Sequence, residues 1–312
     1  MLYNSSLLEE YLEKAEREER LSYRKDLPLS TVSTFRIGGN ASYAIYPPNT
    51  DELATICALC RSVSVPFIVI GNGSNLLFDD SGYEGAVILT TQIKDITVKG
   101  NTVTAGCGTS LTHLSSVVAQ KGLSGLEFAY GIPGSVGGAM FMNAGAYGGE
   151  MKDVTVSVTC YDTETDEIYD ISRDECRFGY RESVFQNSGK IILSATFSLN
   201  NGNKEEISEK MNCLMQQRID KQPLNYPSAG SVFKRYPGYF SGKLIEDAGL
   251  KGFTIGGAQV SEKHAGFIIN VGNATASDVL SLVEHIKGVV KDNVGIELQC
   301  EVRFVRNPNT NN

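Results

Sequence analysis

Between Glu127 and Glu150 the chain reads EFAYGIPGSVGGAMFMNAGAYGGE, and this stretch limits the architecture more than any other. Glycines at 131, 134, 137, 138, 145, 148 and 149 interrupt apolar residues, and no Lys or Arg falls inside it. Glycine accepts positive φ and carries no Cβ, so such a backbone can press its N–H groups against a flat or phosphorylated ligand. The spacing is not that of a dinucleotide-binding βαβ turn, which needs G-x-G-x-x-G between a strand and a helix and an acidic residue about 20 positions on. Here Gly131-x-x-Gly134-x-x-Gly137-Gly138 follows no β-branched, fully apolar strand. Taken alone, the cluster is either a packing turn or a ligand loop.

A second cluster bears on that choice. In VPFIVIGNGSNLLFDDSG the apolar run 66 to 70 reads as a buried strand that breaks into Gly71-Asn72-Gly73-Ser74-Asn75-Leu76. Successive N–H groups in such a turn converge on an anion, and Ser74 and Asn75 add side-chain donors, so a pyrophosphate is the expected occupant. Asp79, Asp80 and Gly82 stop any long helix after the turn, so a helix N-terminus is not the expected anchor.

These two segments, with TFRIGG at 34 to 39, resemble the flavin-binding half of bacterial UDP-N-acetylenolpyruvoylglucosamine reductase, and the similarity runs from about Val32 to Val305. The resemblance implies an α+β protein: a two-lobed FAD-binding domain of the vanillyl-alcohol-oxidase type, followed by a smaller α+β substrate-binding domain. It also implies FAD as cofactor, NADPH as co-substrate and a UDP-sugar as substrate in peptidoglycan precursor synthesis. Cofactor contacts are then expected at Gly71, Asn72, Gly73, Ser74, Asn75 and Leu76. In the glycine-rich stretch they are expected at Gly131, Ile132, Pro133, Gly134, Gly137, Gly138, Asn143, Ala144, Gly145 and Ala146.

The bounds agree with a small-molecule enzyme. A chain of 312 residues can hold two or three domains, each with its own core. A net charge of −8 argues against nucleic acid, whose binding rests on clustered Lys and Arg. The first twenty residues scatter charges and lack the apolar centre of a signal peptide. No segment offers about 18 consecutive apolar residues, so no membrane insertion is expected. These features point to a cytoplasmic protein, expected to be a monomer.

Seven widely spaced cysteines fit reduced thiols better than a disulfide framework. Cys57 and Cys60 form a C-x-x-C, but Leu53, Ile56, Cys57, Leu59, Cys60 and Val63 fall at helical spacing and turn both thiols toward a core. Three scattered histidines, 113, 264 and 285, make no metal site, so none is expected.

Periodicity divides the chain. Residues 1 to 31 hold an amphipathic helix at 5 to 20. The first lobe spans 32 to 101, with strands at 41 to 46, 66 to 70 and 86 to 89 and a helix at 51 to 63. The second spans 102 to 202, with strands near 102 to 105, 154 to 161, 167 to 171 and 191 to 199 and a helix at 111 to 121. One glycine cluster in each lobe places a cofactor between them. A polar break at 200 to 205 opens an expected substrate domain, 203 to 307. It holds a helix marked by Ile207, Met211, Leu214, Met215 and Ile219, a helix after the capping box Thr275 to Asp278, and a strand 296 to 305. The end, from 307, reads as a disordered tail, 308 to 312 lying outside the domain.

Three residues stand where the resemblance places chemistry. Arg181, in RFGYRESVF, has a guanidinium fork suited to a carboxylate, although the residues alone favour a surface ion pair with Glu182 or Asp174. Ser231, in NYPSAGSVFKRYPGYF, is flanked by small residues; no His or Asp at a triad-like position supports a nucleophile, and the residues alone read as a turn hydrogen bonder. The resemblance makes it the proton donor, with Lys234 a candidate polariser. Glu301, in GIELQCEVRFV, lies on the polar face of an alternating strand with Arg303 as an alternative partner. The resemblance makes it the carboxylate that stabilises or protonates an enol intermediate. Tyr180, Lys221, Lys234 and Arg235, with Tyr226, are expected substrate contacts; Arg235 stands where some members have Asn. The compact segment between Arg181 and Ser231 implies the shorter form of the family, without a tyrosine-bearing loop. A flavin oxidase of hydroxyl substrates and a non-catalytic nucleotide-binding module are the alternatives.

Overall fold

The computed structural model describes residues 5–310. The chain forms two compact units, and neither is continuous in sequence. Unit 1 takes residues up to 25, 43–72 and 85–216; unit 2 takes 26–42, 73–84 and 217 onward.

Unit 1 is built on two sheets. Ser22–Pro28, Asn40–Tyr46, Tyr83–Leu89 and Phe67–Ile70 lie in that order in one, the last two running parallel with Phe67 opposite Ala86. The chain crosses between units within the first three of these strands. The other sheet is antiparallel, in the order Glu167–Ser172, Thr155–Asp162, Lys190–Ser198, Thr102–Gly106, Ile96–Lys99. Helix Ser5–Arg17 buries Leu8, Leu12 and Ala15, residues one turn apart on a single face. Helix Thr50–Ser62 starts where the Asn49 side chain accepts the Glu52 N–H at 2.9 Å, and it buries Leu53, Ile56, Cys57 and Cys60. Burial pushes the Cys60 thiol up to about 12, so the C-x-x-C is a pair of core thiols.

Glu127, 3% exposed, carries the one buried carboxylate at the start of the glycine-rich stretch. It accepts from Ser124 Oγ at 2.6 Å and the Gly125 amide at 3.1 Å, with Lys210 Nζ at 3.5 Å. Burial pushes its carboxyl upward, but these donors outweigh it and hold it below the ordinary value. Its contribution to stability is therefore present above the ordinary carboxylate pKa and lost as pH falls through the lowered one. Glu127→Gln should cost about 1–3 kcal/mol at neutral pH and flatten the dependence of Tm on pH across the acid range, read by thermal melts of both proteins.

The expected boundary near residue 202 is not where the contacts divide. Helix Lys204–Lys221 packs Ile207 and Met211 on Ala119 and Tyr130, so its first part belongs to unit 1. Ile219, one of the residues that mark this helix, is 44% exposed.

Unit 2 gathers three separated segments around its own core. Its antiparallel sheet runs Ser228–Ser231, Phe267–Asn270, Ala258–Val260, Thr254–Ile255. Helix Ala276–Val294 opens on a Thr275/Asp278 capping box, ends on Gly295 at φ +72°, and buries Val279, Leu282, Val283, Ile286 and Val290. The first residues of that helix also donate to Asp80, from the Ala276 and Ser277 amides at 2.6 and 3.0 Å.

Phe35 and Ile37 of TFRIGG are buried in this second core, beside Val232, Ile245 and Leu282. Thr34 exchanges bonds with Ser228, donating from Oγ1 at 2.7 Å and accepting from its amide at 3.1 Å. TFRIGG, read with the flavin-binding half, is thus part of the framework of unit 2. The expected strand 296 to 305 is regular only over Arg303–Val305, which pairs in parallel with Leu76–Phe78. The end of the chain is tied down as far as 310. Asn307 is buried and joins the Glu84 amide to Asn309, and its carbonyl accepts from Thr310. Residues 311 and 312, and 1–4, lie outside the described residues.

Candidate functional site

In unit 1 the two glycine clusters meet. A Cβ placed on Gly71 would lie 2.0 Å from Ser135 Oγ and 2.9 Å from Ser135 Cβ. One residue on, Asn72 Nδ2 donates to the Pro133 carbonyl at 3.0 Å. The loop after strand Phe67–Ile70 therefore rests directly on the glycine-rich stretch.

Beside this junction a cavity of about 390 Å³ is lined by Asn72, Thr91, Lys94, Gly108, Ser110 and His113. Its donors suit an anion: an ammonium, an imidazole, an amide and the first turn of helix Leu111–Gln120. Thr109, between two lining residues, is fully buried, and its Oγ1 has no hydrogen-bond partner among the described residues. Close backbone contact, a polar cavity and an orphaned hydroxyl together fit a phosphate-bearing cofactor. Thr91, Lys94, Ser110 and His113 are additions that local sequence patterns did not single out.

The glycine-rich stretch is more ordered than its composition implies. It contains the short helix Val136–Phe141, started by Ser135 Oγ accepting the Gly138 amide at 3.4 Å, which the sequence did not foretell. It then forms a hairpin in which Gly149 opposes Ala146. The turn residues, Tyr147 at φ +53° and Gly148 at φ +87°, are both left-handed, as a tight two-residue turn requires. Two expected cofactor positions also make close contacts within the chain. Gly137 gives room to Cys107, whose Cβ would be 3.0 Å from an added Cβ. Asn143 is fully buried, with its side chain bonded to Glu150, Gly179 and Lys152.

Arg181 lies in a tight turn in which the Gly179 amide donates to Glu182 O at 3.0 Å and the Glu182 amide donates back at 3.3 Å. Its φ of +57° is a left-handed conformation that a non-glycine residue adopts at a cost of roughly 1–3 kcal/mol. Its Nη2 donates to the Gly145 carbonyl at 3.2 Å, and its guanidinium lies 5.1 Å above the Tyr180 ring. The fork is thereby oriented from both sides.

In unit 2 a backbone ladder pairs the segment that follows Ser231 with the one that ends on Glu301. The Glu301 amide donates to Val232 O at 2.7 Å, the Lys234 amide donates to Gln299 O at 2.8 Å, and Phe233 bridges Cys300. Asn75 fastens the same place, donating from Nδ2 to Glu301 O at 3.1 Å while its own carbonyl accepts from Arg303. One hydrogen of its side-chain amide is thus engaged with the chain.

Ser231 Oγ, half-buried, donates to Phe233 O at 3.3 Å. Beside it is a residue that sequence patterns left aside. A Cβ on Gly266 would be 2.9 Å from His264 Cε1 and 3.4 Å from Ser231 Oγ. His264 Nδ1 accepts the Gly266 amide at 3.0 Å, and burial lowers its pKa, which favours the neutral imidazole. Lys221, Tyr226 and Arg235 are exposed, and Lys234 is half-buried. Arg235 covers the Phe240 ring at 5.3 Å. No group of metal-ligating side chains occurs among the described residues, and none of their helices is long and apolar enough to cross a membrane.

Comparison with known proteins agrees with this geometry. Residues 41–172 match an FAD binding domain, and residues 222–305 match the C-terminal domain of UDP-N-acetylenolpyruvoylglucosamine reductase. The reductase of that name from Caldanaerobacter subterraneus subsp. tengcongensis is 50% identical over 278 residues, covering 89% of this chain and 92% of the relative. That of Clostridium perfringens is 48% identical over 280 residues, covering 90% and 92%. The crystal structure of the UDP-N-acetylenolpyruvylglucosamine reductase from Thermus caldophilus superposes with a TM-score of 0.77 at 35% identity, covering 91% of this chain and 98% of that one. Matched along nearly its whole length, the chain belongs to the UDP-N-acetylenolpyruvoylglucosamine reductase family.

Proposed function

We propose that this protein uses NADPH and FAD to reduce the enolpyruvyl ether of UDP-N-acetylglucosamine to UDP-N-acetylmuramate, in peptidoglycan precursor synthesis. The observation that carries the reading is the ladder that pairs Val232, the residue after Ser231, with Glu301, in a chain whose two glycine clusters also meet. We take the protein to act as a cytoplasmic monomer of the shorter family form.

Bound flavin would supply the hydride, taken from the nicotinamide and delivered to the terminal carbon of the enol ether. Gly71, Asn72 and the backbone of 131–138 would hold the cofactor, with Lys94 and His113 offering charge to its phosphates. The residues of the chain manage the charge and the proton. Hydride addition leaves an enolate whose negative charge spreads onto the substrate carboxylate, where Arg181 would meet it with two parallel N–H groups. Glu301 would stabilise or protonate the enol form. Ser231 would give its proton to the carbon bearing the ether oxygen, turning its hydroxyl from Phe233 O to do so; Lys234, further along the same segment, is the candidate to polarise it. Tyr180, Lys221, Tyr226 and Arg235 are assigned to the UDP-sugar.

The test is a single preparation. Purified protein should be yellow, NADPH should bleach it under anaerobic conditions, and the enolpyruvyl substrate should restore the colour with one equivalent of product. Colourless protein that does not take up FAD would overturn the proposal. So would a reduced flavin that reacts with oxygen but is indifferent to the enolpyruvyl ether.

A further inference from the structure

We propose that Asn143 is a positioning residue for Arg181, a buried amide that fixes the turn carrying the guanidinium onto the glycine-rich stretch. The inference rests on the assignment of Arg181 to the substrate carboxylate, and it gives Asn143 a part that no contact with cofactor or substrate requires.

Asn143 has no exposed surface, and its φ is +40°. Both hydrogens of its amide are in use: Nδ2 donates to Glu150 Oε2 and to the Gly179 carbonyl, each at 2.8 Å. Its Oδ1 accepts the Lys152 amide at 3.0 Å. No ligand can reach it. Gly179 is the first residue of the turn that presents Arg181, so the Asn143 bond sets where that turn sits.

Other bonds act on the same turn. Gln186 Nε2 bridges the Arg181 and Phe141 carbonyls at 2.9 and 3.0 Å, and Ser183 Oγ donates to Phe141 O at 2.7 Å. Arg181 itself reaches the Gly145 carbonyl, and Gly145 is paired with Glu150 across the hairpin. Glu150 completes the circuit. Burial pushes its carboxyl upward, but its bonds to Lys152 and Asn143 and the charges of Lys152 and Arg181 hold it below the ordinary value, so it stays anionic near the guanidinium.

The residue type follows from these demands. Asn and Gly tolerate positive φ, and Asp nearly as well. Only Asn also offers two donors and one acceptor. Asp would set a second carboxylate against Glu150 and leave the Gly179 carbonyl without its donor.

The test compares Asn143→Gly, Arg181→Ala and the double variant as FAD-loaded proteins, measuring flavin reduction by NADPH and reoxidation by the enolpyruvyl substrate separately in rapid mixing. Asn143→Gly should keep NADPH reduction within about twofold. Reoxidation should slow roughly 10- to 100-fold, the scale of an ångström-sized misplacement. The double variant should be no slower than Arg181→Ala alone, because both act through one group. If Asn143→Gly does not hold flavin, Asn143→Asp, which keeps the shape, carries the same comparison. Reoxidation unchanged in the Asn143 variant, or both half-reactions slowed in equal proportion, would overturn the inference while leaving Arg181 in place. Unchanged reoxidation in Arg181→Ala would instead remove the assignment of Arg181, and this inference with it.

Discussion

Replacing Ser231 by Ala is expected to leave the flavin bleached by NADPH at the unaltered rate while turnover falls roughly 10²- to 10⁴-fold, the usual scale for loss of a general acid. The substitution is unusually clean. Ser231 ends strand Ser228–Ser231 opposite Phe267, and that pairing uses only the backbone. Its hydroxyl makes one bond, to Phe233 O, and Ser241 Oγ donates to the same carbonyl at 3.2 Å, so no buried acceptor is left bare. The fold should melt within a few tenths of a kcal/mol of the parent, as for surface substitutions that break no network. A fall in turnover is then a statement about the proton. Stopped-flow traces decide it: reduced flavin should persist when the enolpyruvyl ether is added. Reoxidation at the parental rate would mean that another group, or water, protonates the carbon. A fall in both half-reactions would mean that Ser231 supports the cofactor rather than the substrate.

What could be read from sequence, and what could not, divides along the range of the interactions. Helices declared themselves through spacing and caps. The expected 51 to 63 and 111 to 121 are Thr50–Ser62 and Leu111–Gln120, and the Thr275 capping box begins Ala276–Val294. Four strands of the antiparallel sheet of unit 1 were legible for the same local reason, whereas the fifth, Ile96–Lys99, and the pairing of all five were not. Unit 2 was not, because it is closed by pairings that no local period encodes: Leu76–Phe78 beside Arg303–Val305, and Phe35 and Ile37 in a core made mostly of residues beyond 229. Short elements escaped too. Helix Val136–Phe141 contains two glycines, which mask its start signal at Ser135.

At the site, residue identities outran residue roles. Arg181, Ser231 and Glu301 could be singled out by resemblance, but the strain at Arg181 and the ladder between Val232 and Glu301 are properties of the folded chain. Asn143 shows the converse. A polar residue in a glycine-rich loop reads as a ligand contact, and its full burial is invisible in sequence.

Gly71→Ala should weaken FAD binding roughly 10- to 100-fold, through strain rather than through loss of any contact. The added methyl would stand 2.0 Å from Ser135 Oγ and 2.9 Å from Ser135 Cβ, closer than non-bonded carbon ever approaches, so one loop must move. Overpacking of this kind typically costs about 1–3 kcal/mol. If the cofactor holds both loops in place, that strain is released in the free protein and paid again on binding, and each 1.4 kcal/mol is about tenfold in Kd. The clash has a specific remedy. Ser135→Gly removes both atoms that meet the methyl, and glycine in place of serine at a helix start costs only about a few tenths of a kcal/mol. The double variant Gly71→Ala/Ser135→Gly should therefore bind FAD more tightly than Gly71→Ala alone, an interaction between sites that additive effects do not produce. Flavin titrations of the four proteins measure it. Recovery in the double variant would show that FAD requires the two glycine segments in contact at this point. Strictly additive losses would mean that Gly71 matters through its own backbone, and the contact with Ser135 would be packing without consequence for the cofactor.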